Sequence, residues 1–243
     1  MPYRKQPNTD VARISALEKL IAKDGTIYNS QLVIAYKYIQ QAQVLLHHFG
    51  QARSMYNQSY DSQLRLSKLY GRELRTTRMY VSHFITVLNM CFMRNEIRRE
   101  FRSLYSLDEN TSFSHPDLHD GKTVLEWGKR IIEGEQARIS RGGTPIYNPT
   151  IAKVKVHYDN FADAYRSKIT QESNTERFLL KLKQLRPEVD KIITSIWDEI
   201  ERVHSKEETS KAYKLNESFG IIYEYEKEEI EEQKPKLDQI ISF

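Results

Sequence analysis

Turn-forming residues are scarce in this sequence: seven prolines and nine glycines serve 243 residues, whereas an all-β chain turns every ~8 to 12 residues. That shortage excludes a sandwich or barrel and leaves long helices. Cysteine is scarcer still. Cys91 stands alone, so no disulfide forms within the chain, and its place in an apolar helical stretch predicts an inert, buried thiol. Long apolar runs are also missing. The most apolar stretch, Phe84 to Met93, is broken by Thr86 and Asn89 and falls short of the ~18 residues that suggest a membrane span. The opening Met1-Pro2-Tyr3-Arg4-Lys5 runs into polar residues in place of an apolar segment of ~7 to 15 residues, so no signal peptide is expected. Together these absences predict a soluble, cytoplasmic protein with no membrane partner.

Charge is abundant but unevenly placed. Residues 1–107 carry 16 Lys and Arg against 7 Asp and Glu, net +9, and residues 108–243 carry a net −5. The split implies either an anionic partner for the first half or attraction between the halves within the fold. The second is preferred, because the basic residues of Arg65 to Arg102 are spread around a helix and form no single stripe.

Apolar periodicity then sets the organisation. Thr9 or Asp10 caps a first helix over 10–23, whose Val11, Ile14, Leu17 and Leu20 recur at helical spacing, and Asp24-Gly25 ends it. Ser30 is the next expected cap. From Gln31 to about Asn95, Phe49, Ala52, Tyr56, Leu74, Val81, Ile85, Leu88 and Phe92 stay close to one 3.6-residue phase. That phase favours one unbroken helix over a hairpin turning at 57–62. Residues 97–122 read as the longest irregular stretch. A helix follows over 122–141, stopped by Gly142-Gly143. Asn148-Pro149 reads as cap and first residue of a second long helical segment, 149–204, in which Pro187 starts a new helix or kinks the old one. A short helix covers 207–216. Gly220 to Tyr225 reads as a strand that could pair with Thr144 to Tyr147. Six glutamates between Glu224 and Glu232 open an acidic tail. The expected architecture is all-α: an elongated helical bundle on two long antiparallel segments, one domain over 1–225 with the tail 226–243, and at most a two-stranded ribbon.

Four constellations could carry chemistry. His115-Pro116-Asp117-Leu118-His119-Asp120 gathers metal-ligand types, but no Cys pair or Glu-x-x-His helix supplies further donors, so a helix-capping loop is preferred and no metal or other cofactor is expected. Ser82, Thr86 and Asn89, with His83 adjoining, make a polar stripe in an apolar stretch. Such a stripe lines a ligand pocket or forms interhelical hydrogen bonds, and Glu133 and His157 are the partners expected opposite Asn89. Arg141-Gly142-Gly143-Thr144 offers amides to a phosphate, yet its glycines follow a helix end, unlike phosphate loops that precede one. Arg94, Arg98, Arg99 and Arg102 beside Phe101 and Tyr105 suit phosphate contact with base stacking, though no nucleic-acid module is legible. No nucleophile stands in a recognisable elbow.

Pro2-Tyr3-Arg4-Lys5, Tyr80-Val81-Ser82-His83-Phe84, Glu126-Trp127-Gly128, Gly134-Glu135, and Gly142-Gly143-Thr144-Pro145-Ile146 with Asn148-Pro149-Thr150-Ile151 resemble an uncharacterised family of helical proteins of gut Bacteroidota. The resemblance covers most of the chain to about Tyr225 and implies a bacterial origin. That family has no assigned activity, cofactor or catalytic residue, so no mechanism is implied. The sequence reading is a non-enzymatic interaction or scaffold protein with a tyrosine-rich surface, binding a protein partner or itself. The alternative is a nucleic-acid-associated protein using the basic first half, and the third is small-ligand binding near His83 and Asn89.

Overall fold

The computed structural model describes residues 3–107 and 116–224. His115, one of the four candidate donors of the metal-ligand loop, and the acidic tail lie outside the described residues. Of the described residues, 76% are helical. It contains α1 (Asp10–Ala22), α2 (Tyr36–Met93), a 3₁₀ helix (Arg99–Tyr105), α3 (Gly121–Ser140), α4 (Ile151–His204) and α5 (Thr209–Ser218), with strands β1 (Tyr3–Lys5), β2 (Ile27–Tyr28), β3 (Gln31–Leu32) and β4 (Ile222–Glu224). No helix among the described residues is long and apolar enough to cross a membrane.

The long helices run antiparallel: Ala35 meets Glu199, Ser59 meets Thr175 and Thr77 meets His157, one number rising as the other falls. Residues 57–62 are helical, as the unbroken phase predicts, and α2 passes through them in 58 residues. At mid-helix the buried positions are hydroxyls, and Ser59 and Thr175 satisfy each other at 2.9 Å. Pro187 lies inside α4 and starts no new helix.

Some boundaries differ from expectation. Ser30 caps nothing: with Asn29 it takes a positive φ, 48° and 63°, and turns the β2–β3 hairpin, the conformation that two-residue hairpin loops demand. Asn148-Pro149 does not open α4 directly. Thr150 precedes the helix, and its hydroxyl accepts from the Lys153 amide at 3.3 Å. Residues 144–147 do not pair with the C-terminal strand. β4 pairs instead with β1, Tyr3 opposite Glu224 and Lys5 opposite Ile222. Side chains favour that pairing, since both the Tyr3 hydroxyl and the Lys5 ammonium reach the Glu224 carboxylate.

The chain divides into two compact units, residues 1–58 with 177–243, and residues 59–176. In the first, Leu17 and Leu20 of α1, Ile39 and Phe49 of α2, and Leu182, Ile193 and Trp197 of α4 form the core. Its rim is ionic: Arg186 grips Asp10 with two bonds of 2.8 Å, and Arg13 holds Asp190 at 2.7 and 2.9 Å. Arg4 reaches Asp198 and Glu201. Arg4 and Arg13 of the first half thus meet carboxylates of the second, as the charge split suggested, while the Arg186–Asp10 pair runs the other way. In the second unit, Val81, Phe84, Leu88 and Phe92 of α2 pack with Tyr105, Val124, Ile131 and Phe161.

Candidate functional site

The second unit holds a cleft of about 710 Å³, walled by the end of α2, the turn into the 3₁₀ helix, and the strap 142–148 that follows α3. Its shape begins with local chemistry. α2 ends where Asn95 takes a positive φ of 55°, and the amides of Glu96 and Ile97 fold back onto the Cys91 carbonyl. The 3₁₀ helix then eclipses residues three apart, which sets Arg102 and Tyr105 together on the buried side. Tyr105 comes close to α3 because residue 134 is glycine: a Cβ there would meet the Tyr105 ring at 2.5 Å and the Leu104 carbonyl at 2.8 Å. α3 ends at Gly142, whose φ of +85° reverses the chain without a Cβ penalty.

Beneath the strap lies a sealed polar network. The side chains of Glu135 and Arg138 are 0% and 3% exposed. Arg138 donates to both carboxylate oxygens, from Nη2 at 2.7 Å and Nε at 2.9 Å, and the Tyr105 hydroxyl donates to Glu135 at 2.5 Å. Two further bonds reach the strap. Arg138 Nη2 donates to the Thr144 carbonyl at 2.7 Å, and the Ile146 amide donates to Glu135 at 3.1 Å. Burial alone would push the Glu135 carboxyl up, but bonds from Arg138, Tyr105 and Ile146 outweigh it and hold it below the ordinary carboxylate value. Burial and the Glu135 partner push the Tyr105 phenol well up, so it stays a neutral donor.

At the cleft mouth Arg94 and Arg98 are 63% and 82% exposed and sit 3.6 and 3.5 Å from Glu96 and Glu100. Exposed pairs of this kind are worth ~0 to 1 kcal/mol, so both guanidinium groups can exchange partners. Phe101, Ile97, Val87 and Tyr147, the last 75% exposed, add apolar and aromatic wall. Cys91 also lines the cleft and is half-buried, less enclosed than expected. Its thiol is pushed up by desolvation and by Glu96, which disfavours the reactive thiolate.

The basic cluster expected for nucleic acid is therefore divided. Arg94 and Arg98 face the cleft and exposed Arg99 does not line it, while Arg102 is 2% exposed with its guanidinium 5.7 Å over the Phe92 ring. Arg102 is core, because the 3₁₀ repeat turns it inward with Tyr105. The Ser82, His83, Thr86 and Asn89 stripe is not brought together with its expected partners. His83 is exposed, Ser82, Thr86 and Asn89 are half-buried, and the Thr86 hydroxyl bonds back to the Ser82 carbonyl at 3.0 Å. Glu133 is exposed beside Lys129. His157 stacks on Tyr80 at 4.2 Å. None of these six lines the cleft.

The metal-ligand loop caps a helix where it is described. Asp117 accepts from the His119 amide, and Asp120 caps α3 by accepting from Thr123. Among the described residues no group of three or more His, Cys, Asp or Glu is placed to hold a metal. Four tyrosines, Tyr3, Tyr36, Tyr60 and Tyr147, are exposed among the described residues, so the aromatic surface is sparser than composition suggested.

Sequence reasoning missed Glu135 and Arg138. The signal was there, since Val124, Gly128, Ile131, Glu135 and Arg138 share one helical face at 3.6-residue spacing. Two charges on that stripe mark a buried pair. Comparison with protein-family models, curated proteins and solved structures yields no match.

Proposed function

We propose that the chain is a non-enzymatic, cytoplasmic interaction protein, and that the cleft of the second unit grips an acidic segment of a protein partner. The observation that carries this reading is the sealed Glu135–Arg138–Tyr105 network. Burying an ion pair is often no more stabilising than burying apolar residues of similar volume, so retaining one here calls for another benefit. The network's two bonds to the strap supply it, because they fix Thr144 and Ile146, the wall against which a partner would pack, before any partner arrives. Preorganisation of that kind lowers the ordering cost of binding.

The wall chemistry selects the partner class. Arg94 and Arg98 answer carboxylates, while Phe101, Tyr147 and Ile97 answer an apolar or aromatic side chain between them, and about 710 Å³ lies within the ~300 to 1,000 Å³ usual for binding pockets. A nucleic acid fits less well. Its binding commonly engages several phosphates, whereas this mouth offers two arginines, each beside a glutamate. Fluorescence anisotropy with a labelled peptide of glutamates flanking one tryptophan, run against a labelled single-stranded oligonucleotide, separates the readings. The peptide should bind, and the Arg94→Glu, Arg98→Glu pair should weaken it about tenfold or more. Tighter binding of the oligonucleotide, falling steeply with salt, would establish the nucleic-acid reading instead.

A further inference from the structure

With the cleft of the second unit read as a grip for an acidic segment, the chain carries a match of its own. Three stretches place carboxylates on both sides of an aliphatic residue: Glu188-Val189-Asp190, Asp198-Glu199-Ile200-Glu201 and Glu228-Glu229-Ile230-Glu231-Glu232. The first two are committed to the fold of the first unit. Val189 and Ile200 are both 0% exposed, Asp190 holds Arg13, Asp198 and Glu201 hold Arg4, and Glu199 accepts from the Ala35 amide. The third stretch belongs to the acidic tail and is the densest in charge, with four glutamates around Ile230 and Lys227 as the one cation between Glu224 and Glu232. An aromatic residue, Tyr225, stands between Glu224 and Glu226 just ahead of it.

The balance of charge points the same way. Residues 225–243 hold six Asp and Glu against three Lys, which is −3 of the −5 carried by residues 108–243. The negative side of the charge split therefore sits chiefly in the tail, while the positive half of the chain supplies the cleft with Arg94 and Arg98. We propose that the cleft receives the acidic tail of a second copy of this chain, the carboxylates of residues 228–232 meeting Arg94 and Arg98 and Ile230 packing against Ile97, Phe101 and Tyr147. Arg94 and Arg98 exchange Glu96 and Glu100 for the tail, and exposed pairs of that kind cost little to give up. Every copy offers both a cleft and a tail, so two copies can exchange tails reciprocally in a closed two-fold dimer, the commonest symmetry of soluble oligomers. Once one tail is seated, the second docks at the effective concentration set by its tether, which strengthens the pair without new surface.

The test is sedimentation velocity on full-length chains at low salt. The parent should form dimers at micromolar concentration and revert to monomer as salt rises. Reversing the cleft, Arg94→Glu with Arg98→Glu, should weaken association about tenfold or more, and so should reversing the tail, Glu228→Lys, Glu229→Lys, Glu231→Lys and Glu232→Lys. Mixing the two reversed chains should restore a one-to-one dimer, since the charges of each cleft then suit the other chain's tail. One chain carrying all six substitutions should self-associate again. A parent that stays monomeric, a reversed tail that associates as the parent does, or an inert mixture would overturn the proposal; a tail seated in the cleft of its own chain gives the first of these. The peptide of glutamates around one tryptophan keeps the two readings apart. If that peptide binds while the parent stays monomeric, the cleft still takes acidic segments and tail exchange alone fails, whereas a parent that binds neither peptide nor tail loses both.

Discussion

Both units clamp a stretch of α2 against a stretch of α4, but the first keeps its Arg–Asp pairs at a partly exposed rim, whereas the second seals Glu135 and Arg138 at 0% and 3% exposure. The rim pairs tie α1 to α4 with charges that still touch water, so losing a partner leaves the other solvated. In the second unit neither charge has that recourse. The difference separates fastening from positioning. The first unit's pairs join elements that already share an apolar core, while the second unit's pair reaches beyond α3 to a strap with little core of its own.

The largest expected effect breaks this contrast at its centre. Glu135→Gln strands a buried guanidinium and should cost ~3 to 5 kcal/mol, against ~1 kcal/mol for Asp10→Asn at the rim, both read by urea unfolding. Replacing the pair together, Glu135→Leu with Arg138→Met, should restore most of that stability yet abolish peptide binding, because Thr144 and Ile146 lose their anchors. A double variant that still binds would reduce the network to a packing device. Gly134→Ala should cost ~1 to 3 kcal/mol by pushing Tyr105 away from α3.

Acid sharpens the comparison further. Glu135 is held below the ordinary carboxylate value of 4.5 in the folded state, so its contribution is whole above that pH and is lost as pH falls through the lowered value. With Trp197→Phe leaving Trp127 as reporter, the second unit should lose stability in that acid window, and the double apolar variant should flatten the dependence. The smallest expected effect is Arg98→Glu, which should change stability by less than ~0.5 kcal/mol while weakening the acidic peptide.

Much of the architecture was legible because apolar phase is a long-range signal: from Phe49 to Phe92 nothing in α2 resets it, and Gly142 marks the end of α3 by its handedness alone. The β1–β4 pairing was not legible, since both strands are three residues long and their partnership depends on Glu224 meeting Tyr3 and Lys5 from the far end of the chain. The candidate site was half visible. Arg94 and Arg98 were noted for charge, and Gly142-Gly143-Thr144 for free amides, but only folding brings the two stretches to one cleft. Asn89 drew attention as an amide in an apolar run, yet an intermediate position on α2 lets it remain partly hydrated, so no partner from Glu133 or His157 is required.

The amide of Ile146 offers the most direct measurement. It lies in a strap outside any helix or strand, and its one anchor is the Glu135 carboxylate at 3.1 Å. If the buried pair fixes the cleft wall, native-state hydrogen exchange should find this amide protected to nearly the same free energy as the core amides of α3, and Glu135→Gln should release it selectively. Exchange at the rate of an open loop in the parent protein would contradict that, and would leave the Glu135–Arg138 pair without a role in shaping the cleft.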